Sequence, residues 1–515
     1  MSSIEFELKL ALTSAGLKAL KAHPLIQPFL AGSTTKRLVG TYYDTPDQAL
    51  RSLGATLRVR KIGRRHVQTL KLTADGTIAA LSRHEWEFEV PGPVPEPDLL
   101  RPIPLPDKVA RALAEGPLVP QFTTDVRRTA TMIGFGQAMI ELALDTGNVH
   151  REDARAAISE AELELKHGDR TAVYQLARRL ADTVPFRFDP TPKSARGYAL
   201  VDGTRPEVAH ADTPPLEEGQ TVAQAFATIA RECLRHLLGA EWAARAGEDP
   251  EGVHQTRVAL RRLRSAFKLF APVFEGDKEA ERLTAELGWL AGELGPARDW
   301  DVFLGDIMAP LMARRADDKD LARLVQSCRR KRDEAYVAVR TALGEARYNQ
   351  LILDLLLWLE REDWPQAAAA PIEDFAGALL HTRRKKLRKL GRRHAELAAE
   401  DLHRVRIRAK TMRYAAEFFR ALYPKKAVRK QLAALSGLQD VLGVLNDAAV
   451  GEGLMAKAAK ERSASNAKAA AVVDGWYAAL THDHLSRLPE AWAAFDDLKP
   501  YWSVPEADET SDRHS

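Results

Sequence analysis

The sequence predicts a two-part molecule: an amino-terminal α+β domain of short antiparallel strands, then an all-α region built twice from one helical pattern. Three observations predict it. Up to about residue 200, strand-length stretches alternate apolar and charged residues: "IEFELKL", "ATLRVRKIG", "HVQTLKLTA", "RHEWEFEV", "MIELALDTG" and "ISEAELELK". Most are bounded by Gly, Pro or Asp, the punctuation of strands. From Thr221 to about Trp502 the periodicity is helical and rich in Ala, Leu, Arg and Glu. Within that region "VHQTRVALRRLRSAFKLF", from Val253, returns as "LHRVRIRAKTMRYAAEFF", from Leu402.

The bulk properties agree. A chain of 515 residues exceeds what one hydrophobic core serves. With 45% hydrophobic and 28% charged residues it reads as globular. Cys233 and Cys328 are its two cysteines. That excludes a disulfide scaffold and a cysteine-rich zinc site, and it suits a reducing, cytoplasmic compartment. Charge from Glu5 onward argues against a signal peptide. No apolar run approaches the roughly 18 residues of a membrane helix, so no membrane partner is expected. The formal charge of +4 is small for this length, so any polyanionic partner must be argued from local clusters.

In chain order, the strand-rich part is interrupted by a helical pattern, "RTAVYQLARRLADTV", and by a Pro-rich loop from Pro91 to Pro106. The expected domains are 1–201 for the strand-rich part, 202–220 as a polar, Pro- and Gly-containing linker, 221–502 for the helices, and 503–515 as a disordered tail.

In a strand, residues i, i+2 and i+4 share a face. Glu5, Glu7 and Lys9 therefore line one side, as do Arg58 and Arg60, Arg83 with Glu85 and Glu87, Glu141 with Asp145, and Glu160 with Glu162 and Glu164. A solvated face explains any one of these strands. The set is harder to explain, because carboxylates dominate some strands and bases others. A closed barrel offers a solution, with apolar faces packed outward under helices and loops and charged faces lining a polar lumen. Such a lumen suits a metal–polyanion complex: carboxylates hold Mg2+ or Mn2+, and Arg and Lys hold phosphate oxygens.

"EFELK" matches the ExExK signature of the CYTH family, the triphosphate tunnel metalloenzymes. The chain resembles that family over roughly residues 3–200, through "YYDT" (42–45), "LRVR" (57–60), "TLK" (69–71), "RHEWE" (83–87), "ELALD" (141–145), "ELELK" (162–166) and "KSARGYAL" (193–200) in family order. The resemblance implies an eight-stranded antiparallel tunnel that binds a triphosphate with divalent metal. It implies Glu5, Glu7, Glu162 and Glu164 as metal ligands. Lys9, Arg58, Arg60 and Lys71 become the catalytic basic set, and Arg128 and Lys193 bind phosphate. Asp125 falls where many relatives carry another Arg. Glu85, Glu87, Glu141, Asp145 and Glu160 are either lumen residues or partners behind them. The implied reaction is metal-assisted hydrolysis, with water attacking a terminal phosphorus. The family also contains adenylate cyclases and thiamine triphosphatases, and nothing in the sequence suggests a nucleobase pocket.

In the helical region, aligning His254 with His403 pairs Arg257 with Arg406, Arg261 with Lys410, Arg264 with Arg413 and, further on, Asp299 with Asp447. At about 100° per residue, His254, Arg257, Arg261 and Arg264 lie within a stripe about 80° wide. Leu260, Leu263, Phe267 and Phe270 form the opposite, buried face. "HTRRKKLRKLGRRH", from His381, adds further basic residues and no acid. A solvated face explains one stripe; two at matched positions of a duplication point to an anion that offsets their repulsion. This region resembles the CHAD domain, the conserved-histidine α-helical domain, over about residues 215–500. The resemblance implies two four-helix bundles and a basic groove for inorganic polyphosphate. The groove residues carried over are His254, Arg257, Arg261, Arg264, Lys385, Arg388, His403, Arg406, Lys410 and Arg413. Nucleic acid is the rival ligand, but no helix-turn-helix or zinc-finger pattern is present and the stripe lacks interleaved aromatics for base stacking; polyphosphate is preferred.

The expectation is therefore a cytoplasmic, Mg2+- or Mn2+-dependent inorganic triphosphatase whose helical domain binds polyphosphate and associates with polyphosphate granules. Two alternatives stay open: a polyphosphate adaptor with a weak or inactive tunnel, and an organic-triphosphate enzyme such as a thiamine triphosphatase or adenylate cyclase.

Overall fold

The computed structural model describes residues 3–4, 6–73, 83–205, 207–392, 397–458 and 464–503; Glu5 and the tail from residue 504 lie outside the described residues. The chain divides into two compact units, one of residues 1–209 with 343–360, the other of residues 210–342 with 361–515.

In the first unit, ten strand segments form one antiparallel sheet: β1 (Ser3–Ile4), β2 (Phe6–Leu12), β3 (Thr34–Asp44), β4 (Ala55–Ile62), β5 (Arg65–Thr73), β6 (Arg83–Val90), β7 (Val119–Phe135), β8 (Ala138–Arg151), β9 (Ala154–His167) and β10 (Phe186–Phe188). Their order is β1-β6-β5-β4-β3-β7-β8-β9-β2-β10. β1 pairs with β6 and β2 with β9. The amino-terminal run thus touches both edges of the sheet and closes it into a barrel, which leaves few edge groups to solvent. Counting residues 3–12 as one run, eight strands make the wall, and β10 adds to β2.

The alternation behaves as the period of two requires. Tyr43, Leu57, Val59 and Leu70 point outward, where they pack with Leu100 of the Pro-rich loop and with Val109 and Leu113 of the helix Asp107–Glu115. Arg58 and Thr69, their neighbours in sequence, point into the barrel. One end of the lumen is filled by Tyr42, Phe122, Val126, Val149, Ile158 and Tyr198. The helix Lys193–Asp202 is held there by two contacts. Tyr198 donates its hydroxyl to Asp44 at 2.6 Å, and Gly197 lies so close to Phe122 that a Cβ would meet the ring at 2.1 Å. Asp44 also accepts the backbone N–H groups of Thr45, Leu50 and Arg51, so a buried carboxylate ties "YYDT" to "RGYAL".

The helix Ala346–Leu359, which the sequence places in the helical region, packs on the barrel unit. Arg178 of the helix Thr171–Leu180 donates from Nε to Asp354 at 2.8 Å, and the buried Asn349 donates to the carbonyl of Phe186 in β10 at 2.9 Å.

The second unit is helical and its long helices fall into two sets. The first comprises Val222–Ala246, Pro250–Phe270, Lys278–Val302 and Lys319–Gly344; the second comprises Ile372–Gly391, Ala399–Phe418, Lys425–Ala458 and Ala464–Ser486. Local signals start them: Thr221 and Gln224 form a capping box, and Asp249 caps a helix that opens with Pro250. Val222 donates to the carbonyl of Ala370 and Ile372 to that of Gln220, each at 2.9 Å, so the first helices of the two sets are joined by reciprocal bonds. The basic helices of the two copies also meet. Arg262 pairs with Glu417 at 3.0 Å, and Arg261 donates to the hydroxyl of Tyr414. No helix among the described residues is long and apolar enough to cross a membrane.

Candidate functional site

The barrel encloses a cavity of about 200 Å3. Glu7 and Lys9 of β2, Arg58 and Arg60 of β4, Lys71 of β5, Arg128 of β7, Glu162 and Glu164 of β9, and Lys193 at the start of its helix all line it. Every described residue of the expected tunnel set is therefore in one cavity. Glu85, Glu87, Thr69 and Tyr42 join them. Tyr42 was missed by sequence reasoning; its even spacing from Gly40 and Asp44 in β3 is the signal that could have found it.

One side of the cavity is a cage of opposite charges. Lys193 Nζ lies 2.7 Å from Asp145, 2.5 Å from Glu160 and 2.6 Å from Glu162. Arg128 donates twice to Asp145, at 2.8 and 2.6 Å, and also reaches Glu162. Arg196 stands 2.9 Å from Glu160, and Lys9 stands 3.5 Å from Glu162. Burial opposes charge on Glu162, but Lys193, Arg128 and Lys9 outweigh it and hold the carboxyl well below its usual range. Asp145 is held down in the same way, by Arg128 and Lys193 against burial. The oxygens of Asp145, Glu160 and Glu162 are close enough together to share an ion, but the ammonium of Lys193 already lies among them.

The remaining walls are not balanced. Glu7 Oε1 is buried with no hydrogen-bond partner; Lys9 Nζ stands 3.6 Å away, but burial and the charge of Glu162 outweigh it and push the carboxyl up. Glu7 lies directly across the β2–β9 ladder from Glu164. Opposite these acids, Arg58 and Arg60 make no ion pair among the described residues. Arg58 donates to Thr69 Oγ1 at 3.3 Å and leaves its buried Nε unpartnered. Burial beside Arg58 and Arg128 pulls Arg60 down to about 9. The cavity thus presents crowded carboxylates, with Glu7 lacking a close cation, and guanidiniums with no ion pair among the described residues. Carboxylate oxygens are the donors that hard divalent ions take, so Glu7 and Glu164, with Glu162 beside them, fit such an ion.

Asp125 lies outside this set. It faces outward from β7 and accepts two hydrogen bonds from Arg37, at 2.9 and 2.5 Å, while Arg128 is the residue of β7 that lines the cavity. Glu141 pairs with Lys166 at 3.8 Å and does not line the cavity.

The helical unit holds a second cavity, of about 880 Å3. Arg261, Arg264 and Lys268 come from the first copy and Arg406 and Lys410 from the second, so the duplicated stripes converge on one space. Phe267, Phe274, Ile407 and Tyr414 form an apolar wall beside them. Burial, then Arg261 and Arg406, pull Lys410 down to about 7. Asp299 supports the charge of Arg257 in one copy, and Asp447 that of Arg406 in the other, which is the pairing the repeat predicts.

Other members of the expected groove are not in this lining. Arg257 donates to the carbonyl of Ala291 at 3.2 Å. His254 is half-buried and its imidazole is held down by burial and Arg298. His403 and Lys385 are exposed. Arg413 donates to Glu417 at 2.7 Å, and Arg388 to Asp496 at 2.5 Å. Beside Arg388, Arg384 donates to the carbonyls of Asp496 and Leu498, at the end of the helix Leu488–Asp496. Part of the basic run therefore neutralises a helix carboxyl end, a common use of Arg.

The CYTH family model matches residues 3–198, and the CHAD family model matches residues 228–456. A curated relative from Haemophilus influenzae, named inorganic triphosphatase, is 30% identical over 164 residues, 32% of this chain and 46% of the relative. The chain thus spans about half the length of that relative. Among solved structures, the CHAD domain from the plant Ricinus communis is 31% identical, with a TM-score of 0.51, over 58% of this chain and 99% of that one. PptA from Streptomyces chartreusis is 18% identical, with a TM-score of 0.44, over 53% of this chain and 99% of that one. The chain carries a CYTH domain followed by a CHAD domain.

Proposed function

We propose that the barrel hydrolyses inorganic triphosphate with the help of Mg2+ or Mn2+, and that the helical unit binds inorganic polyphosphate and brings the protein to polyphosphate granules. The observation that carries the first part is the division of charge in the 200 Å3 cavity, with Glu7 buried without a hydrogen bond beside Glu162 and Glu164 on one side and Arg58 and Arg60 without an ion pair among the described residues on the other. A condensed phosphate with its cation answers both needs at once. The relative named inorganic triphosphatase supports the same reading.

In this reading Arg58, Arg60, Lys9 and Lys71 take the phosphate oxygens and stabilise the charge that grows on them as the terminal bond breaks. Lys193 and Arg128 are fixed in place by Asp145, Glu160 and Glu162, so their charge is aimed before substrate arrives. A divalent cation held by Glu7 and Glu164, with Glu5 and Glu162, would neutralise phosphate charge and lower the pKa of a bound water. In the helical unit, Arg261, Arg264, Arg406 and Lys410 supply the cations for a polyphosphate chain.

Purified protein incubated with inorganic triphosphate, ATP or thiamine triphosphate, with and without Mg2+ or Mn2+, tests the reading. Metal-dependent phosphate release from inorganic triphosphate alone is expected. Turnover of thiamine triphosphate, or cyclisation of ATP, in its place would move the protein to the organic-triphosphate class. No turnover with polyphosphate still bound would make it an adaptor. Ready displacement of polyphosphate by duplex DNA or RNA at equal phosphate concentration would overturn the ligand of the helical unit.

A further inference from the structure

The helical cavity is not built for a phosphate chain alone. Its cationic half faces an apolar wall of Phe267, Phe274, Ile407 and Tyr414, Glu275 and Glu281 also line it, and its 880 Å3 is of small-molecule size. Lys410 sits at the junction. It is half-buried, makes no ion pair among the described residues, and faces Arg257 and Arg261 from the first copy and Arg406 from its own helix. Asp447, from the helix Lys425–Ala458, supports its charge and also serves Arg406, and Glu275 and Glu281 of the first copy line the same cavity. An amine that is desolvated and crowded by cations loses its proton readily and becomes a nucleophile, as in lysines that act covalently. The same guanidiniums that disfavour the ammonium form would hold a phosphate beside the amine, and the apolar wall would hold an acyl group.

We propose that Lys410 is a covalent acylation site for acyl phosphates. The Nζ lone pair attacks the acyl carbon, and the bond from that carbon to the phosphate oxygen breaks. Inorganic phosphate leaves with the bonding electrons, the amine gives up its proton to water, and an amide remains. The acylated side chain can then no longer take up a proton, and with it a positive charge, when a polyanion enters the cavity. If the polyphosphate reading above holds, acylation also weakens polyphosphate binding; the acylation itself does not depend on that reading.

The test uses the full chain and acetyl phosphate, with the modified lysines quantified by peptide mass spectrometry over time. The exposed Lys425, Lys426 and Lys430 serve as internal references. Lys410 should react at least about tenfold faster than these at pH 7.5. Its rate should level off above neutral pH. Arg261→Gln should slow Lys410 and leave the references unchanged, and circular dichroism would confirm that this variant folds. Equal rates at Lys410 and the references would overturn the proposal. So would equal selectivity with a phosphate-free acetyl ester, which would show that the phosphate half of the cavity plays no part. Protection by polyphosphate is a separate readout: its absence counts against the polyphosphate reading and leaves the acylation result intact.

Discussion

Glu7 and Glu164 are direct cross-strand partners in the β2–β9 ladder, both lining the same cavity. Like charges in that relation repel, and burial raises the cost. Lys166 lies 2.5 Å from Glu164, whereas Glu7 Oε1 stays without a hydrogen bond. Lys9 Nζ comes only within 3.6 Å of that oxygen, so Glu7 is short of a close cation, and burial with Glu162 pushes its carboxyl up.

A divalent cation should relieve that shortage. Mn2+ or Mg2+ at about one hundred times its dissociation constant should stabilise the protein by about 2.7 kcal/mol if it binds only the folded state. Glu7→Gln should abolish this gain and the triphosphatase activity together, and should raise the melting temperature of metal-free protein. The sign follows from the raised carboxyl of Glu7: a charge that folding disfavours destabilises above its folded pKa, and the penalty fades as pH falls through it. Thermal melts with and without metal check this. A metal shift that survives Glu7→Gln would remove Glu7 from the metal site.

Lys193 reaches all three of Asp145, Glu160 and Glu162, whereas Arg128, Arg196 and Lys9 each reach only some of them. Lys193→Ala should cost about 3–5 kcal/mol at pH 7, because it leaves buried carboxylates short of a partner. Asp145 and Glu162 have lowered carboxyls, so their stabilisation is full above the unfolded carboxylate pKa of about 4 and is lost as pH falls through their folded values. The gap between wild type and variant should accordingly narrow in acid. Urea unfolding at pH 7 and pH 3.5 measures it.

Arg58 and Arg60 carry no structural ion pair among the described residues, so their removal should separate activity from stability. Arg58→Ala or Arg60→Ala should lower kcat/KM for inorganic triphosphate about 100- to 1,000-fold. Neither should lower the melting temperature appreciably, since each deletes a charge held against burial and against its neighbours. Full turnover in both variants would sink the assignment of the cavity as the reaction site.

In the helical unit the basic residues should fall into two classes. Arg264→Ala and Arg406→Ala should each weaken polyphosphate binding and reduce the slope of log affinity against log salt by about 0.7–1. Arg413→Ala and Arg388→Ala should leave that slope nearly unchanged, because their guanidiniums are spent on Glu417 and Asp496. Their effect should appear in stability. Binding isotherms at several salt concentrations, set beside thermal melts, would show whether the two classes are real.

Much of this was legible in local pattern. Alternation in "ATLRVRKIG" and "ELELK" placed Arg58, Arg60, Glu162 and Glu164 on common faces, because a pleated strand has a period of two. The repeat placed Arg261 and Lys410 at equivalent positions, and the structure brings both to one cavity. Less visible were contacts set by distant segments. Lys193 is 48 positions beyond Asp145 in sequence, and nothing near either residue says that one will cap the other's charge. The lengths of β3 and β7 were also hidden, since their Thr- and Gly-containing stretches lack strict alternation. Arg388 looked like a groove residue because composition reports charge and not its partner; the partner is Asp496, 108 residues away.

The sequence by itself determined which faces are charged, where strands give way to helices and that the helices are duplicated, because each of these is a periodicity carried by neighbouring residues. Only the tertiary structure decided which charges remain unspent. Closing the barrel gave Asp145, Glu160 and Glu162 to Lys193 and Arg128, and left Glu7 without a hydrogen bond and Arg58 and Arg60 without an ion pair among the described residues. Packing likewise committed Arg388 and Arg413 to carboxylates and left Arg264, Arg406 and Lys410 lining a cavity. A charge becomes available to a ligand when nothing in the folded chain neutralises it, and that balance is set by segments that meet only on folding.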